Sequence, residues 1–151
     1  MLSFAKTIVA ETLALLRRGE DVVPAVTFQP GWTDASGEEP RGQVNLKGAF
    51  ENPETVSECS QFLQQYAADY EAHAAVLVVP RKALGFPQVW KQKGWTMGNM
   101  HGVFIQLESD AARRMWFIPV PKGKPAQEPV VVEDKEQSCD MYRILPHLFR
   151  G

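Results

Sequence analysis

Apolar and polar positions are most sharply organised between residues 103 and 120, where two runs of β-branched and aromatic residues flank a short polar stretch. Val103, Ile105 and Leu107 alternate with Phe104, and Met115 and Phe117 alternate with Trp116, Ile118 and Val120, with Ser109, Asp110, Ala111 and Ala112 between the runs. This period of two predicts a β-hairpin charged only at its turn end. One face carries Val103, Ile105 and Leu107 opposite Trp116, Ile118 and Val120, and the reverse face carries Phe104, Met115 and Phe117. Both faces are apolar. Such a hairpin is expected to be central with cover on both sides, or to meet another chain with one of them.

Upstream, Leu2, Phe4, Ala5, Ile8, Val9, Leu13, Leu15 and Leu16 gather on half of a helical wheel, which predicts an amphipathic helix over 3–18. Gly19 stands where a helix is capped, and Arg17 and Arg18 suit the carbonyl end of its dipole. A first strand is expected over 22–28, starting after Pro24 or lying at an edge. The polar, turn-rich stretch 30–42 leads to a second strand over 43–50, in which Val44 and Leu46 oppose the polar Asn45 and Lys47. Asn52, Pro53 and Glu54 form a helix start, and Val56, Cys59, Phe62, Leu63, Tyr66 and Tyr70 give a buried stripe in a helix expected to run to about Glu71. The unbroken apolar run 76–79 predicts a strand covered on both faces. After the hairpin come a turn at 121–125, a short edge-like strand at 129–133 and a last strand or helical turn at 141–145.

This order implies an α+β fold: a mostly antiparallel or mixed sheet of about five to six strands with two main helices packed on one face. The connection from the second strand through the second helix to Val76 could make a parallel neighbour by a right-handed crossover, hence the mixed alternative. The chain of 151 residues suits one domain over 1–151, with a long loop at 81–100 and a less regular segment at 121–151. At this length folding buries about 70% of the unfolded surface without staples. Cys59 and Cys139 do not form a disulfide framework, and Lys6 and Glu11 interrupt the apolar N-terminal run. The expected setting is cytoplasmic, with no membrane span.

Charge changes the picture more than composition does. The net charge of −2 exerts no global pull on nucleic acid or membranes. Between residues 72 and 107, however, stand Arg81, Lys82, Lys91 and Lys93 with no carboxylate, whereas residues 34–71 hold eight carboxylates against Arg41 and Lys47. The basic part coincides with a stretch that has no period, is broken by Gly85, Pro87, Gly94 and Gly98, and carries Phe86, Trp90 and Trp95. A loop of this length without regular structure has a task or covers something. Arg81, Lys82, Phe86, Trp90, Lys91, Lys93, Trp95 and His101 are therefore the candidate binding residues. Aromatic rings among cations suit an acidic protein surface or stacked bases. The acidic balance of the whole chain weighs against nucleic acid, and ordinary packing of the indoles as a lid is the plainest role for them. Segregated charge and a two-sided hairpin also suit a homodimer.

Chemistry has less support. His73, His101 and His147 lack metal-ligand spacing, so no metal or cofactor is expected. Residues 94–102 carry glycines but precede a strand, unlike a phosphate-cradling loop. Cys59 lies on the apolar stripe of the second helix, and Cys139 would need a base that spacing does not reveal. The expected function is a non-catalytic cytosolic interaction module working through the 81–101 loop and the hairpin. The alternative is a small-molecule binding protein or enzyme with a pocket beneath that loop, lined by Trp90, Trp95 and Trp116 with His101, Arg81 or Tyr142. A concavity holding His101 beside a charged residue would favour the second.

Overall fold

The computed structural model describes residues 2–30, 42–49, 53–69, 71–80, 82, 101–109 and 113–131. Helix α1 (Leu2–Arg17) buries Phe4, Ala5, Ile8 and Val9 and leaves Lys6 and Glu11 in water, as its wheel predicts. It ends in a Schellman motif. Glu20 N–H donates to the Leu15 carbonyl at 3.1 Å and Gly19 N–H to that of Leu16 at 3.0 Å, with Gly19 at φ +75°. Strand β1 (Ala25–Pro30) begins after Pro24. β2 (Gly42–Asn45) is shorter than the expected 43–50. Asn45 Oδ1 accepts from Lys47 N–H at 2.8 Å, and this side-chain turn diverts the chain before Gly48, which has φ +86°.

Helix α2 (Pro53–Asp69) stops two residues before the expected end, since Glu71 takes the left-handed conformation at φ +53° and turns the chain into β3 (Ala72–Pro80). β4 (Gly102–Ser109) and β5 (Arg113–Pro119) form the anticipated hairpin, and β6 (Val130–Val131) lies at the edge. The helical or strand-like turn at 141–145 lies outside the described residues.

The six strands run in the order β2-β1-β3-β4-β5-β6, and every described pairing is antiparallel. β2 and β3 do run in the same direction, but β1 lies between them, so the crossover through α2 produces no parallel pair and the sheet is not mixed.

Register decides what covers each face. Thr27 stands opposite Val76 and Ala25 opposite Val78, while Val26 stands opposite Leu77 and Phe28 opposite Ala75. Phe4, Ile8 and Val9 of α1 pack in one cluster with Val76, Val78, Ile105 and Trp116, which places α1 on the first of these faces. The Phe28 ring lies 4.9 Å from that of Tyr66, which places α2 on the second. The helices therefore take opposite faces rather than one. The reason is the hairpin itself: residues 103–109 and 115–119 are buried without a break, a pattern that one covered face could not produce.

Within β4 and β5, Phe104 and Phe117 face each other at 4.8 Å across the ladder. Gly102 begins the strand because nothing larger fits: a Cβ there would lie 2.3 Å from the Ile118 carbonyl oxygen and 2.5 Å from the Phe117 ring. Gln106 is wholly buried on the Phe104 face, and neither amide atom has a hydrogen-bond partner among the described residues. An amide so placed forfeits its hydration.

Three substitutions test these positions. In urea unfolding, Gly102→Ala is expected to cost on the order of 3 kcal/mol through forced separation of β4 from β5. Gly19→Ala, which meets no atom within 4 Å, is expected to cost only about 1 kcal/mol for its φ. Gln106→Met, similar in length and apolar, is expected to raise stability by about 1–2 kcal/mol by removing an unsatisfied amide; a drop of that size would show that the amide is hydrogen-bonded in solution.

Candidate functional site

One end of the sheet gathers the chemistry. Antiparallel pairing brings Pro80 of β3 beside Val103 of β4, and Gly102 beside Pro119 of β5. The ladder is extended by one bond, from Val120 N–H to the His101 carbonyl at 2.9 Å, so His101 is fixed at the mouth of the hairpin. The Schellman cap of α1 sends residues 19–22 across the same end. Between these pieces lies a cavity of about 290 Å³, close to the lower limit of about 300 Å³ for small-molecule sites. Leu16, Val22, Val103 and Val120 supply its apolar walls, and Asp21, Lys82 and His101 stand at its edge.

The charged groups are partly matched. Lys82 Nζ donates to Asp21 Oδ1 at 3.2 Å, and the Arg18 guanidinium donates to Glu20 Oε2 at 3.1 and 2.8 Å. Both pairs are well exposed and add little to stability; their effect is to neutralise the two carboxylates nearest the cavity. Arg17 reaches Glu128 at 2.9 Å and the Ala126 carbonyl at 3.3 Å, tying the end of α1 to the chain that leads to β6.

Two further hollows adjoin the cavity. A groove of about 600 Å³ runs between α1 and strands β1 and β2 and shares Asp21 and Val22 with it. A shallow hollow against the turn 121–124 shares His101 and Val120 with it. That turn is closed by Lys124 N–H donating to the Pro121 carbonyl at 3.0 Å, with Gly123 at φ +75°, and it carries Lys122 and Lys124 on either side of the glycine.

Of the binding residues expected from sequence, Lys82 and His101 are brought together here. Arg81, Phe86, Trp90, Lys91, Lys93 and Trp95 lie outside the described residues, as do Tyr142, Cys139 and His147. Trp116 does not line the described cavities. It is 5% exposed and packs beneath α1. His73 is at the opposite end of β3 from Lys82. The hairpin, expected to lend an exposed apolar side, presents none, because its own chain buries both faces. Leu16, Asp21, Val22, Lys122 and Lys124 were not signalled as site residues. Gly19 and the Pro121-Lys122-Gly123-Lys124-Pro125 sequence mark turns, but only the tertiary arrangement shows that both turns meet at His101.

Among the described residues no group of three or more His, Cys, Asp or Glu side chains gathers to hold a metal. No helix among them is long and apolar enough to cross a membrane. No protein-family model matches the chain, and no curated protein or solved structure matches it either.

Cys59 is half-buried on α2, and burial pushes its thiol up to about 11. It is therefore protonated at neutral pH, and the thiolate, the reactive form, accumulates only as the pH approaches that value. On a Cys139→Ser background, iodoacetamide is expected to label Cys59 far more slowly at pH 7.5 than it labels free cysteine, with the rate climbing beyond pH 9. Ordinary thiol reactivity at pH 7.5, read peptide by peptide by mass spectrometry, would contradict this.

Proposed function

We propose that this chain is a non-catalytic cytosolic binding protein for a small molecule, taken up in the cavity between the end of α1 and the start of β4. The observation that carries this reading is the cavity of about 290 Å³ whose apolar walls meet Lys82, Asp21 and His101 at one edge. Small-molecule sites have this composition: apolar surface for affinity and a few polar groups for orientation. The backbone around it is held by ladder and cap hydrogen bonds, so binding there orders little and loses little entropy.

A second reading is favoured by the exposed Lys82, His101, Lys122 and Lys124 around the same end of the sheet. An acidic protein surface, or the acidic 34–71 part of a second copy, would complement them. Mass in solution at low and high salt separates a self-associating chain from a monomer.

The ligand reading is tested by a fragment screen followed through backbone amide shifts. Hits are expected to move Gly102, Val103 and Val120 together, and Leu16→Trp, which sets an indole in the wall, is expected to weaken them at least tenfold while the circular dichroism stays unchanged. Fragments that leave those amides still, or that bind the Trp variant as well as the parent, would refute the reading.

A further inference from the structure

We infer that the ligand of this cavity is an amphipathic anion: a small molecule with an apolar body and one carboxylate or phosphate, the anionic group lying against His101 and the 121–124 turn. This rests on the ligand reading above and adds the chemical class.

The argument is one of polarity along a connected surface. His101 and Val120 line both the cavity and the hollow beside the turn, so the two adjoin at these residues. The cavity walls, Leu16, Val22, Val103 and Val120, offer nothing to hydrogen-bond through their side chains. The two carboxylates on its edge already have cationic partners, Asp21 with Lys82 and Glu20 with Arg18. Lys122 and Lys124 are both exposed and have no carboxylate partner among the described residues. Among the described residues that line the two hollows, the charge left without an ion-pair partner is thus positive and stands on the turn. A neutral apolar ligand would leave that surplus unused, and a cation would be repelled by it.

The turn adds geometry to charge. Gly123 at φ +75° and the Lys124-to-Pro121 hydrogen bond hold Lys122 and Lys124 within one tight turn. His101 faces the same hollow, and its carbonyl is already engaged by Val120 N–H. The imidazole and two ammonium groups can therefore donate to one anionic headgroup, and hydrogen bonds to charged groups are stronger than neutral ones.

The test compares hexanoate with 1-hexanol, which shares the apolar body and lacks the charge, and with inorganic phosphate, which lacks the body. Amide shifts of Leu16, Val103 and Val120 report the walls, and those of Lys122, Gly123 and Lys124 report the turn. Hexanoate is expected to move both sets and hexanol only the walls, with hexanoate bound about tenfold more tightly. Lys122→Gln with Lys124→Gln is expected to erase that preference while hexanol binds as before. Equal affinity for hexanoate and hexanol overturns the anion assignment and leaves the cavity reading standing. If neither compound moves the walls, both readings are overturned. Phosphate and hexanoate moving the turn with the walls unchanged shows surface ion binding only and also overturns the proposal.

Discussion

Everything in this molecule answers to the demand that β3, β4 and β5 be dry on both faces. A strand with one wet face alternates, but Ala74 through Pro80 and Val103 through Ser109 are buried residue after residue. Each face must then be covered by something else in the chain. α1 takes one side through Phe4, Ile8 and Val9, and α2 approaches the other through Tyr66 against Phe28. The short strands β2 and β6, which need least cover, lie at the flanks, where Gln43 and Asn45 of the one and Val130 and Val131 of the other meet water. Burial of this kind stabilises by about 25 cal/mol per Å² of apolar surface, and leaves little freedom in where a helix can lie.

The cavity is a by-product of that arrangement. α1 runs across the dry face and ends at Arg17, while the strands it covers reach Pro80, Gly102 and Pro119 at that end. The space left beyond the last helical turn has apolar walls because they are the ends of the core, and a charged edge because the chain emerges there into water. A site at the end of a core therefore needs no separate design of its affinity; the specificity is set by the few groups at its rim.

The class of fold was readable from periodicity, and so were the hairpin, the α1 cap, the start of β1 after Pro24 and the dry β3. Those features are local, encoded by residues a few positions apart. What escaped reading was long-range. The division of the helices between two faces depends on the register that sets Phe28 beside Ala75 and Thr27 beside Val76, and no local pattern carries it. The buried Gln106 breaks the apolar rule of its own strand. The left-handed Glu71 ends α2 where any residue with a side chain is disfavoured. For the site, His101 and Lys82 stood out by their place at the two ends of a basic stretch. Asp21, Lys122 and Lys124 did not, since their nearness to His101 exists only after the sheet has closed.

The position of β1 between β2 and β3 has a kinetic side. β1 pairs with β2 on one flank, Ala25 standing opposite Asn45, and with β3 on the other, Ala25 standing opposite Val78, so its second edge waits until the whole of α2 and the following strand have been made. The β4–β5 hairpin, closed by a three-residue link between Ser109 and Arg113, has no such delay. Closing long loops is entropically slow compared with closing short ones. Until β3 closes against it, β1 carries an unpaired edge, and an unpaired strand edge is open to pairing with another chain.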